Sequence, residues 1–203
     1  MFFSLAVGLV AGLLPVAFSG VSDNKFLMQV DFDDPVKQVV RYGADTRYIP
    51  RSLLPLQQDD REVLENDFIG WSYFGAFAIG KNGGYGYAVG VNSAQAAREI
   101  ALSECRSSND RCVIYAEIWP EGYQPLEPGE VVLAPDVAEY YFSANTRPDF
   151  KSMAFSHDGA YALVWGHASQ AAADAAALAD CDSYRMSGDD DFPVMPCLLL
   201  PIR

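Results

Sequence analysis

The sequence predicts an α+β fold: two duplicated ββαβ units with antiparallel sheet, an N-terminal helical extension and two intra-repeat disulfides. Three observations predict it. First, a 31-residue stretch occurs twice, Gly75 to Cys105 and Lys151 to Cys181, aligned without a gap at an offset of 76. Ten of the 31 positions are identical: Ala78/Ala154, Gly83/Gly159, Tyr85/Tyr161, Gly90/Gly166, Ser93/Ser169, Ala96/Ala172, Ala97/Ala173, Ala101/Ala177, Leu102/Leu178 and Cys105/Cys181. Second, each copy passes from strand-like alternation through a polar cap into helical spacing. Third, each copy ends in a cysteine, and another opens the next apolar run, at Cys112 and Cys197. The chain divides accordingly into a signal peptide (1–19), an N-terminal extension (20–72), repeat 1 (73–120), a linker with a short helix (121–149) and repeat 2 (150–203).

The start of the chain, Phe2 to Phe18, is almost wholly apolar, with Ala17 and Ser19 as small residues for a signal peptidase. No Lys or Arg precedes the run. The competing reading is a membrane anchor, because the run matches a short spanning helix. Pro15 and the small residues after it point to cleavage after Ser19.

Leu27 to Phe32 alternates weakly, as an edge strand does. Asp34 followed by Pro35 is a helix-start pattern, which predicts a short helix to Tyr42, ended by Gly43. Tyr48 to Pro55 holds two prolines and reads as extended. Leu56 to Asn66 reads as a helix with Leu56, Val63 and Leu64 inward.

In repeat 1, Ala76 to Ile79 is a strand, Asn82-Gly83-Gly84 a hairpin turn and Tyr85 to Val91 the returning strand. Asn92-Ser93 caps a helix from Ala94 to about Arg106, with Ala97, Ile100, Ala101 and Cys105 on one face. Cys112 to Trp119 is the third strand. The linker supplies a short strand at Val131–Leu133 and a helix from Pro135 to Ser143. In repeat 2, Asp158-Gly159 turns, Ser169 caps and Cys197 to Leu200 is the last strand.

Alternation separates two strand faces. Tyr85, Tyr87, Val89, Tyr161, Leu163 and Trp165 form bulky faces; Gly86, Ala88, Gly90, Ala162, Val164 and Gly166 form small ones. The small faces suit close approach of the alanine-rich helices. The bulky faces are expected to be buried between the repeats, since each large apolar side chain contributes ~1.5–3 kcal/mol on burial.

Four cysteines allow three pairings, and the repeat selects Cys105–Cys112 and Cys181–Cys197. Such bonds belong in an oxidising compartment, where each contributes roughly 2.5–3 kcal/mol by restraining the unfolded chain. Zinc is the weaker reading, for C-x-x-C pairs and neighbouring histidines are lacking. With 50% hydrophobic residues the chain is a folded globular one. The net charge is −13, with 14 Lys plus Arg against 27 Asp plus Glu, which excludes nucleic acid as a partner.

The run Gly75-Ala76-x-Ala78, a Gly-containing turn, Tyr85-x-Tyr87, an Ala-rich helix ending in Cys105 and a strand opening on Cys112 resembles a family of secreted bacterial domains of unknown function. The resemblance covers about Phe74 to Leu200. It implies the duplicated fold and carries no catalytic residue. Similar short exported proteins are sometimes labelled 5-aminolevulinate synthase. That activity needs pyridoxal phosphate on a lysine, and Lys25, Lys37, Lys81 and Lys151 lie in no cofactor motif.

Two histidines occur. His157 reads as a turn residue in Ser156-His157-Asp158-Gly159. His167 follows Trp165 and aligns with Val91, so its position does not demand an imidazole. No nucleophile elbow, zinc-protease motif or phosphate loop is present. Asp189, Asp190 and Asp191, and Asp31, Asp33 and Asp34, lack calcium-loop spacing and read as solvated turns. The sequence therefore predicts an exported protein, periplasmic or secreted, acting as a non-enzymatic binding or structural module. Its partner is an unknown protein or small molecule. No cofactor, no metal and no stable membrane span after signal cleavage are expected. Tyr161, Trp165 and His167 are the candidate binding residues. The alternative is a secreted hydrolase using His167 or an acidic pair.

Overall fold

The structure, a computed structural model, describes residues 35–81, 83–186 and 194–202. The predicted signal peptide, the Leu27–Phe32 strand and the acidic runs at 31–34 and 189–191 lie outside these residues.

The chain is mixed α+β. In order it forms β1 (Gln38–Val40), β2 (Thr46–Pro50), α1 (Gln58–Val63) running into a π-helical turn (Leu64–Phe68), β3 (Phe74–Gly80), β4 (Tyr85–Val91), α2 (Ala94–Arg106), β5 (Cys112–Pro120), β6 (Glu130–Val132), α3 (Pro135–Ser143) with a 3-10 turn (Ala144–Thr146), β7 (Ser152–Phe155), β8 (Tyr161–Val164), α4 (Gln170–Tyr184) and β9 (Leu198–Leu199). Two antiparallel sheets have orders β2-β5-β3-β4 and β8-β7-β9, and β1 pairs in parallel with β6. In each antiparallel sheet the first hairpin strand is flanked by its hairpin partner and by the strand that follows the helix.

The caps and cysteines explain the helix ends. Ser93 and Ser169 sit in extended conformation, and their hydroxyls accept from the N–H of Ala96 and Ala172, satisfying donors that a helix start leaves open. Cys105–Cys112 and Cys181–Cys197 are both bonded, each with Cα atoms 6.1 Å apart. The small strand faces do meet the helices. A Cβ at Gly86 would collide with the α2 backbone at Cys105, so only glycine admits this approach.

Two expectations are corrected. The described part of the expected Asp34–Tyr42 helix, Pro35 onward, is not helical: Gln38–Val40 is a strand paired with β6. Val39 and Val40 suit a pleated, half-buried surface better than a helix. His157 does lie in the turn between β7 and β8, as expected, but it is 4% exposed and packs edge-on to Phe155. The bulky faces do not meet one another between the halves. On the first sheet Phe77 and Tyr87 pack on Phe68 of the π-helical turn, and Tyr85 at its outer end remains 37% exposed. On the second sheet Met153 and Phe155 enter the same core as the buried face of α2, β6 and α3, while Trp165 stays 45% exposed. The two sheets therefore stack front to back, and α4 covers the outer small face through Ala173, Ala177 and Cys181.

The second hairpin turn is held to the first half by one buried side chain. Asn92 donates its backbone N–H to the His157 carbonyl at 3.0 Å and its side-chain N–H to the Ser156 carbonyl at 2.8 Å. Its Oδ1 accepts from the Ala134 N–H at 2.8 Å, at the start of α3.

Candidate functional site

Front-to-back stacking leaves part of the second sheet's bulky face uncovered, and a cavity of about 660 Å³ opens there. Tyr161, Leu163 and Trp165 share this face by strand alternation. α3 contributes Tyr140, whose ring centroid is 5.4 Å from that of Tyr161. The segment after α4 adds Tyr184 and Met186, and the turn adds Asp158, Gly159 and Ala160. Gly90 brings in the end of β4 from the first half.

Arg147 is the cation of the pocket. It follows the 3-10 turn; its N–H donates to the Ala144 carbonyl at 3.0 Å. Lys151 Nζ donates to the carbonyls of Asn145 and Arg147, both at 3.2 Å, which fixes the local backbone. The guanidinium stacks over Trp165, 4.4 Å from its ring centroid. Its Nε is buried without a hydrogen-bond partner, and among the described residues the side chain forms no ion pair.

The pocket's carboxylate is committed to structure. Asp158 Oδ1 accepts from the Ala160 N–H and Oδ2 from the Met186 N–H, both at 3.1 Å. The Tyr161 phenol is pushed above its ordinary pKa by burial first, then by Tyr140 and the charge of Asp136, so it remains protonated and a donor at neutral pH.

Two of the three predicted binding residues, Tyr161 and Trp165, line this cavity; His167 does not. The His167 backbone N–H donates to Phe150 at 3.4 Å, and its imidazole forms no hydrogen bond or ion pair among the described residues. His157 is buried beside the pocket turn, and burial pulls its pKa down to about 4. Arg147 escaped the sequence reading: a lone arginine before a proline carries no periodic signal.

A second charged cluster was also missed. Glu117 is fully buried on β5 and ion-paired to both Arg51 and Arg98. Together with Arg47 these arginines ring Trp119, at 5.1 to 5.8 Å from its centroid. The signal was present in the apolar run Ile114-Tyr115-Ala116-Glu117-Ile118-Trp119, where a charge must point inward and find partners. The cluster is internally paired, which makes it a structural device that orients β2 and α2 on the sheet.

Among the described residues no group of three or more His, Cys, Asp or Glu is placed to hold a metal ion, and no helix is long and apolar enough to cross a membrane. In comparisons with known proteins, no family model, no curated protein and no solved structure matches the chain.

Proposed function

We propose that this is an exported, non-enzymatic binding module whose ligand site is the pocket on the second sheet. One observation carries the reading: a cavity of about 660 Å³ is walled by tyrosines and a half-exposed tryptophan, yet its carboxylate already accepts two backbone N–H bonds. Cavities of roughly 300–1,000 Å³ with aromatic walls and few polar groups are the form small-molecule sites take. A hydrolase needs a base within reach of a nucleophile, and His167 lies off the cavity wall. The two disulfides support export, because such bonds persist in oxidising compartments.

The two halves are read as copies of one ββαβ unit, and three agreements support this. The pairs Ile79↔Tyr85 and Ile79↔Val113 align with Phe155↔Tyr161 and Phe155↔Leu198. Gly90 and Gly166 share a left-handed conformation, with φ of 68° and 75°. The two caps use the same atoms. The family resemblance rests on the same residues. On this reading the second copy retained the fold and turned its bulky face into a binding wall.

Trp165→Ala tests the site. A half-exposed side chain that serves a ligand should cost less than ~1 kcal/mol of stability, against ~3–5 kcal/mol for a buried tryptophan. Binding of indole, followed by ligand-observed NMR, should disappear with the variant while the thermal melt shifts by no more than a few degrees. A collapse in Tm, or indole binding that survives Trp165→Ala, refutes the assignment.

A further inference from the structure

We infer that the pocket takes a small ligand carrying a carboxylate on a ring, with Arg147 as the partner of the anion and Trp165 and Tyr161 as the platform for the ring. The inference rests on the binding reading above and adds the charge and shape of the occupant.

The Arg147 guanidinium is the decisive group. It lines the cavity, its Nε is buried and without a hydrogen-bond partner among the described residues, and a desolvated donor left so is costly. The chain carries 27 acidic residues against 14 basic ones, so potential mates abound. Arg147 nevertheless takes none of the described ones, and it is held by its own backbone bonds to Ala144 and Lys151.

Charge selects among ligands that could lie on aromatic walls. Tyrosines and a tryptophan around a cavity otherwise suit a cation. Here a cation already occupies the face of Trp165 at 4.4 Å, and a second one would be repelled from it. Two carboxylates are near. Asp158 already accepts one backbone N–H on each oxygen, and the charge of Asp136 is felt at Tyr161; neither forms an ion pair with Arg147 among the described residues. The unmet requirement is for an anion beside the tryptophan. Arginine can stack and still present a planar fork to a carboxylate. A bare inorganic anion would leave most of a 660 Å³ aromatic cavity uncovered. A ring bearing the anion fills both parts.

Two sources offer this chemistry, an aromatic carboxylate and an acidic saccharide, and the test separates them. The full chain is titrated calorimetrically with three probes that share one ring: indole-3-acetate (anion), indole-3-ethanol (neutral) and tryptamine (cation). Digalacturonate is run beside the neutral disaccharide α-1,4-galactobiose. A charge-assisted bond contributes ~1.5–3 kcal/mol, so the anion of at least one series should bind about tenfold tighter than its neutral analogue. Tryptamine should bind weakest of the indoles. Arg147→Gln should abolish the anion's advantage without moving the melt, and Arg147→Lys should restore part of it. The tighter of the two anions identifies the source. If neutral or cationic probes bind as well as the anions, or if Arg147→Gln changes nothing, the anion inference fails while the pocket reading stands. If no probe binds, both fail.

Discussion

His157 is neutral in the folded protein because burial removes the water that would solvate its charge, drawing its pKa down to about 4. The unfolded chain restores an ordinary value near ~6.5. Between these values the unfolded state binds the extra proton, so stability falls as pH drops from about 6.5 to 4 and is complete above that window. The loss is on the order of 3 kcal/mol, taking ~1.4 kcal/mol per unit. Urea unfolding at pH 7 and pH 4.5 should show a steeper loss for the natural chain than for His157→Gln; equal slopes would refute the assignment. Residue environments were the least readable part of the sequence. The turn around His157 looks like any polar turn, and bonds from Asn92, Met186 and Met195, all on other segments, turn it inward. Arg147 was invisible for the same reason: its meaning lies in Trp165, which is distant in sequence.

Elements whose signals are local were readable. α2, α3 and β4 have the bounds that the Ser93 cap, the Pro135 start and alternation indicate. Both disulfides followed from the repeat. β1 was not readable, because its strand exists through pairing with β6, far along the chain. The π-helical turn likewise exists to bury Leu64 and Phe68 under the first sheet. The two caps, although equivalent, should not be equal. Ser93 is buried and Ser169 is exposed. Removing either hydroxyl should cost ~1 kcal/mol as a lost cap, but water can replace Ser169, while the Ala96 N–H would be stranded dry. Ser93→Ala should therefore lower Tm more than Ser169→Ala in parallel melts. Equal shifts would show that the Ser93 environment admits water.

At the scale of the molecule, front-to-back stacking explains both the N-terminal segment and the pocket. A face-to-face pair would have buried both bulky faces and needed no cover. Stacked as they are, the first sheet requires α1 and the π-helical turn over its outer face, and the second keeps an incompletely covered one. The repeated stretch is visible in the sequence, but the orientation of the two sheets is not: alternation says which side chains share a face, never which face a neighbour will choose. The joint between the halves runs through Asn92, and the pocket rim crosses it. Gly90 belongs to one side and Gly159 to the other, and a Cβ at Gly159 would sit 3.6 Å from the Gly90 carbonyl. A molecule in the pocket is then a clamp across a seam, and its binding free energy is added to the cohesion of the two halves. Hydrogen exchange should report this: saturating indole-3-acetate should slow the Asn92 and Ala134 amides, which join the halves but do not line the pocket, and unchanged rates there would mean that the seam holds independently of the pocket.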